Sequence, residues 1–278
     1  MPELPEVETV CRGLSAVLEG RCIVRATVRR PDLRIPFPQG FEGRIRGRMV
    51  CRIRRRAKYI LLDLDDGNVL IIHLGMSGRM VITKNAGPPE VHDHVLLTTE
   101  GGIEVRYNDP RRFGLMTIAP QKGLDNHRLF HHLGVDPLST AFTASSFSQN
   151  LAGRKTAIKL ALLDQRIVAG VGNIYACESL HRAGISPRRK AGMISGKRVA
   201  ALVRSIKDVL TEAIAAGGSS LRDHVQPSGE LGYFQHSWKV YGRAGESCSC
   251  SAGKAMAGSI KRIAQGGRST FYCTQCQT

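Results

Sequence analysis

The sequence predicts an α+β multidomain chain in which an N-terminal helix and a β-sandwich precede a helical domain and a small C-terminal cysteine hairpin. Three observations carry that reading. Short β-rich runs crowd residues 22–120, apolar residues recur at helical spacing on either side of them, and four of the eight cysteines cluster near the C-terminus. At 278 residues the chain has room for about two domains of roughly 150 residues each.

Val7, Val10, Leu14, Val17 and Leu18 lie one helical turn apart and are followed by Gly20, so an amphipathic helix begins after Pro5. Seven β runs follow: Cys22 to Arg29, Met49 to Ile53, Tyr59 to Leu64, Val69 to Leu74, Met80 to Thr83, Val95 to Thr99 and Ile103 to Tyr107. Asp66-Gly67 and Glu100-Gly101-Gly102 join neighbouring runs as hairpin turns that need positive φ. Strands at this spacing make a sandwich or flattened barrel. Residues 121–145 mix Pro, Ser and His without periodicity and read as a linker.

Thr156 to Leu163 and Asn173 to Arg182 read as helices. A stronger one runs from Ser195 through Val199, Leu202, Val203, Ile206, Val209, Leu210 and Ile214 to Gly217-Gly218. Residues 217–237 hold four glycines and few apolar side chains, which predicts a long functional loop. The tail has Gly266-Gly267 between short polar strands and is too small for its own core, so a metal is its staple. The expected boundaries are 1–120 for the helix and sandwich, 121–145 for the linker, 146–237 for the helical domain with its loop and 238–278 for the hairpin.

Lys and Arg number 40 against 23 Asp and Glu, a net charge of +17. That excess predicts a polyanionic partner, and its spread along the chain favours nucleic acid over a membrane surface. No run approaches the ~20 apolar residues that cross a bilayer, and the acidic start Met1-Pro2-Glu3 is unlike a secretory signal. The expected location is the cytoplasm. In a reducing compartment the clustered cysteines predict metal ligation rather than disulfides.

Pro2 is a small residue after which the initiator Met is normally removed, leaving a secondary amine. Attack of that amine on a sugar C1′ yields an iminium ion that keeps its charge and acts as an electron sink for elimination. Glu3 stands next to it as a candidate proton donor; the alternative is a proline that simply starts the helix. Arg54-Arg55-Arg56-Ala57-Lys58 is a phosphate-facing edge or brings one lysine to the sugar. His73 to Gly78 presents Met76 between two glycines, and Asn108 to Gly114 presents Arg111, Arg112 and Phe113 on a turn. Such an apolar tip beside guanidiniums suits a wedge in a base stack. Gly170 to Tyr175 opens a helix whose first amides receive a phosphate or are merely capped, with Arg154, Lys155 and Lys159 upstream. Cys248, Cys250, Cys273 and Cys276 form C-x-C and C-x-x-C pairs, the natural ligand set of one structural zinc, although the first pair is tighter than usual.

Pro2 to Thr9, Arg56 to Tyr59, His73 to Gly78, Asp109 to Gly114, Gly170 to Tyr175 and Gly267 to Thr270 together resemble bacterial formamidopyrimidine-DNA glycosylase. The matches run in order along the whole chain. The resemblance implies a helix-two-turn-helix domain and a zinc-finger hairpin. It also implies a bifunctional enzyme of base excision repair, a monomer that excises 8-oxoguanine and formamidopyrimidines from double-stranded DNA and then nicks the strand by β,δ-elimination. It makes Pro2 the Schiff-base nucleophile, Glu3 the general acid, Lys58 the proton donor in β-elimination, and Arg268 the phosphate clamp of δ-elimination. Met76, Arg111 and Phe113 would fill the gap left by the flipped lesion; His73, His92, Arg154, Lys159 and Asn173 would grip the backbone.

The endonuclease VIII branch, which prefers oxidised pyrimidines, looks similar, but Leu4 and the stretch Gly218 to Phe234 favour the purine branch, where that stretch covers 8-oxoguanine. The other alternative is a non-catalytic damaged-DNA-binding protein. The chain departs from the family pattern where relatives place a ligand just before the segment matching Ser259 to Ile263: Met256 and Ala257 stand there, and Cys250 borders an insertion.

Overall fold

The computed structural model describes residues 1–84, 87–219, 232–251 and 258–278. These form two compact units, one of residues 1–131 with 214–235 and the other of residues 132–213 with 236–278. The stretch after the long helix read from Ser195 therefore groups with the N-terminal residues.

In the first unit, helix α1 (Leu4–Leu18) buries Val7, Val10, Cys11, Leu14 and Leu18, the i, i+3, i+4 stripe its spacing predicts. Eight antiparallel strands follow: β1 (Cys22–Val28), β2 (Arg48–Arg56), β3 (Tyr59–Leu64), β4 (Asn68–His73), β5 (Arg79–Thr83), β6 (Asp93–Thr99), β7 (Glu104–Asn108) and β8 (Leu115–Pro120). They are ordered β5-β7-β6-β1-β2-β3-β4-β8. β1 and β2 share only the register Cys22↔Met49 and Ile23↔Arg48, so two four-stranded halves hinge on a narrow seam. Ile60, Leu62, Leu70 and Ile72 from one half and Val95, Leu97, Val105 and Tyr107 from the other enter one hydrophobic core, the sandwich that the sequence predicts.

β8 is a strand beyond the seven predicted runs. Both of its faces are largely buried, so Leu115 to Ala119 show no alternation, and the turn rich in Pro, Arg and Gly before it masks its start. A short helix α2 (Phe41–Ile45) precedes β2 and buries Phe41 and Ile45.

The second unit holds α3 (Ala144–Leu151), α4 (Ile158–Leu163), α5 (Asn173–Arg182) and most of α6 (Lys197–Ala215), with the hairpin β9 (Ile260–Gln265) and β10 (Arg268–Cys273). α3 begins inside the predicted linker, where Thr143 caps Ser146 reciprocally. Phe142 and Phe147 pack at 5.1 Å, and Leu162, Tyr175, Leu202 and Ile206 of the helices are fully buried. In the hairpin Ile260, Thr270, Tyr272 and Cys273 are buried while the rest of β9 is exposed or half-buried, and Gly266 and Gly267 close it at φ +55° and +71°.

Candidate active site, nucleic-acid surface and metal centre

Pro2 and Glu3 are buried at the head of α1. The Glu6 carboxylate reaches back to accept the Glu3 N–H at 2.8 Å, half of a capping box that fixes the chain entering the helix. Its other oxygen accepts the Ser219 N–H at 2.9 Å. One buried carboxylate thus ties the start of the chain to the stem of the loop after α6. The stem closes through Phe234 N–H to Gly218 O at 3.1 Å; the rest of the loop read as the lesion cover, 220–231, lies outside the described residues.

Lys58 is in the two-residue turn between β2 and β3, where Ala57 has φ +53°, a conformation that a residue with a Cβ adopts at a cost of about 1 kcal/mol. The turn is anchored to α1: Arg55 pairs with Glu8 at 3.0 Å and donates to Ala57 O at 3.1 Å. Lys58 is buried and close enough to His73 for its charge to help lower the imidazole pKa. Burial is the main cause of that shift, with Arg34 and then Lys58 adding to it, and it takes His73 down to about 3. The neutral ring accepts the Gly75 N–H on Nδ1 at 2.9 Å, so its proton sits on Nε2 and is available to an acceptor.

The two wedge loops are joined by one more buried carboxylate. Asp109 accepts the Ser77 hydroxyl at 2.6 Å on one oxygen, and the Tyr107 hydroxyl at 3.1 Å and the Gly114 N–H at 2.9 Å on the other. Ser77 in turn accepts the Arg111 N–H, and Asp109 N–H donates to His92 O at 3.0 Å. Gly75 has φ +65°, and a Cβ there would lie 2.3–2.5 Å from the Phe113–Gly114 backbone, so only glycine lets the loops touch. The result is an exposed cluster on a rigid base. Met76 is 39% exposed and Phe113 44%, with the Arg111 guanidinium 4.9 Å over the Phe113 ring. His92 is exposed beside them.

In the second unit Arg154 is exposed, whereas Lys159 is fully enclosed. Asn173, first residue of α5, donates its amide to Ser269 O at 2.9 Å and to the Tyr241 hydroxyl at 3.4 Å. Its amide therefore braces the hairpin next to Arg268, which is exposed just after the Gly266-Gly267 turn. Glu178, also on α5, accepts the backbone N–H groups of Lys239, Val240 and Tyr241 at 2.8–3.0 Å.

The four clustered cysteines converge. Their Sγ atoms lie within 4.8 Å of one another, with Cys248–Cys276 at 3.9 Å and Cys250–Cys273 at 3.5 Å. Zn–S bonds of ~2.3 Å in a tetrahedron put sulfurs about 3.8 Å apart, so the set fits one zinc ion. Cys250, which borders the insertion, is part of the cluster; insertion residues 252–257 lie outside the described residues. Burial raises the thiol pKa of Cys248 and Cys276, a cost that a bound cation offsets.

Sequence reasoning singles out the candidate reactive groups and the exposed loop tips but misses Glu6, Arg55, Ser77 and Glu178 as organisers and names Asp109 only as part of its turn. Asp before Pro in a turn is a detectable signal for Asp109. Glu6 has a local signal in its capping-box spacing to Glu3, but its contact with Ser219, like the Arg55–Glu8, Ser77–Asp109 and Glu178–Val240 contacts, spans many residues and leaves no local mark.

Family models match residues 1–116 as the formamidopyrimidine-DNA glycosylase N-terminal domain and 133–225 as the formamidopyrimidine-DNA glycosylase H2TH domain. Residues 258–278 match the zinc finger found in FPG and IleRS. The chain is 54% identical to formamidopyrimidine-DNA glycosylases of Roseobacter denitrificans and Rhodospirillum centenum, covering all of each chain. Its fold is similar to that of a Lactococcus lactis FPG mutant in complex with Fapy-dG-containing DNA, with a TM-score of 0.90, 32% identity and full coverage of both chains. The MutM (FPG) protein of Thermus thermophilus is 36% identical at a TM-score of 0.86, over 99% of this chain and 98% of that one.

Proposed function

The chain belongs to the formamidopyrimidine-DNA glycosylase family, and from that premise we propose that Pro2 is the nucleophile of a DNA glycosylase and abasic-site lyase. The enzyme is a bifunctional glycosylase/lyase of base excision repair that acts on oxidised purines in double-stranded DNA. The observation that carries the assignment of roles is the burial of Pro2 and Glu3 at the head of α1, braced by Glu6, with the Lys58 turn anchored to the same helix through Arg55 and Glu8.

Once Met1 is removed, the Pro2 nitrogen attacks C1′, the bond to the damaged base breaks, and Glu3 supplies a proton to the opened sugar oxygen or the leaving group. The iminium then draws electrons as a proton leaves C2′ and the 3′-phosphate departs, with Lys58 as proton donor. A second elimination expels the 5′-phosphate, which Arg268 holds. Met76, Arg111 and Phe113 fill the stack behind the flipped nucleotide and offset an unstacking cost of a few kcal/mol. His73 donates to the backbone from Nε2, and His92, Arg154 and Asn173 stand with it. Lys159 takes this role only if DNA binding uncovers it. The zinc holds the hairpin that carries Arg268 and takes no part in bond breaking.

Among the described residues no helix is long and apolar enough to cross a membrane, and we place the protein in the cytoplasm on DNA as a monomer.

Borohydride trapping on an 8-oxoguanine duplex tests this reading. The mature enzyme should give a covalent adduct, and a form that retains Met1 should give none. Excision of 8-oxoguanine by protein with a blocked N-terminus would overturn it. A thymine glycol duplex run in parallel should react more slowly.

A further inference from the structure

Helix α5 lies along the hairpin and touches it at both ends. Asn173 holds the arginine end through Ser269 O at 2.9 Å. Two turns later His181 reaches the cysteine end, where its Nε2 lies 3.2 Å from Cys248 Sγ. Between them Cys177 packs in one buried cluster with Cys248, Cys273, Ile260 and Val240. Cys248 also receives the Cys250 backbone N–H at 3.5 Å. The distance and the half-buried position of His181 suit an N–H···S hydrogen bond, and a zinc-bound thiolate keeps lone pairs that accept one.

We propose that His181 is a positioning residue of the metal centre: its Nε2–H donates to the Cys248 thiolate in the zinc-bound state, holding that ligand and locking α5 to the hairpin. The zinc keeps its four sulfur ligands, and His181 acts from outside them. A hydrogen bond to sulfur stabilises the thiolate and withdraws electron density from it. Loss of the donor leaves a more reactive sulfur and a looser ligand. Partners of this kind around metal sites generally change metal affinity by 10–100-fold when removed.

The test uses the full-length zinc-loaded protein and two variants. His181→Phe keeps a ring and removes the donor, and His181→Gln keeps an N–H donor. The first readout is the rate of zinc transfer to a chromophoric chelator; the second is the sulfur-to-metal charge-transfer band of the cobalt-substituted protein. We expect His181→Phe to release zinc at least ~10-fold faster and to shift the band to longer wavelength, with His181→Gln restoring both most of the way. A merely space-filling role would leave the band in place and would not favour Gln over Phe. Unchanged release and an unshifted band in folded His181→Phe protein would overturn the proposal, as would equal losses in both variants. Should His181→Phe fail to fold, an unchanged cobalt band in His181→Leu, which also lacks a donor, beside wild type would overturn it equally.

Discussion

The wedge loops of the first unit and the hairpin of the second solve the same problem with different materials. Each presents a few exposed side chains on a braced base. The wedge loops stand on a sandwich whose core runs through both halves of the sheet, and one buried carboxylate, Asp109, gathers the backbone and hydroxyl donors of both loops. The hairpin has two strands that rest on only a small buried cluster of Cys177, Val240, Cys248, Ile260 and Cys273. It rests on Glu178, Asn173 and four sulfurs around one metal. Where a large hydrophobic core is available, hydrogen bonds suffice to fix an exposed loop; where the core is small, metal coordination supplies the missing energy.

The largest expected effect breaks the metal side of that comparison. Cys273→Ser, at a fully buried ligand, should lose stoichiometric zinc by elemental analysis and abolish binding to lesion DNA, while the first unit keeps its own unfolding transition. Coincident loss of both transitions would show that the hairpin is not a separate staple.

Asp109→Ala attacks the carboxylate side. It leaves the Gly114 N–H and two hydroxyls unpaired in a buried site, at about 3 kcal/mol or more of stability in urea denaturation. Discrimination between lesion and undamaged duplex should fall further than general DNA affinity. A loss confined to stability would separate the carboxylate from the wedge.

Gly75→Ala should cost about 2 kcal/mol, since the new Cβ meets backbone at 2.3 Å and a positive φ. A neutral result would mean that the two loops separate freely.

The last test is a pH dependence. His73 has its pKa lowered to about 3 in the fold against an ordinary 6.5, so the unfolded chain binds the proton first on acidification. Its contribution is present above pH 6.5 and is lost as pH falls toward 3, at up to ~1.4 kcal/mol per unit. Between pH 6 and 4 wild type should therefore lose stability more steeply than His73→Asn, and parallel curves would contradict a buried neutral ring.

The strand-rich N-terminal domain, α1, α5 and the two-glycine hairpin are legible in the sequence, because period-2 and period-3.6 patterns and turn residues report local geometry. β8 escapes because a strand buried on both faces has no alternation, and α3 because its cap, Thr143, sits in a stretch without periodic apolar residues. Of the site, Pro2, Glu3, Lys58 and the cysteines are visible as motifs. His181 is not, since nothing in its neighbourhood distinguishes it from any helix-surface histidine.

Residue order alone thus determined the basic charge, most of the elements, the candidate amine and the candidate cysteine ligands, all of which follow from side-chain chemistry or short-range spacing. Only the folded chain decided that Glu6 meets Ser219, that Asp109 unites two loops, that Cys250 joins its three partners, and that His181 faces Cys248. Those pairings span up to 213 residues, and a hydrogen bond or a metal bond depends on distance in space, which sequence separation does not encode.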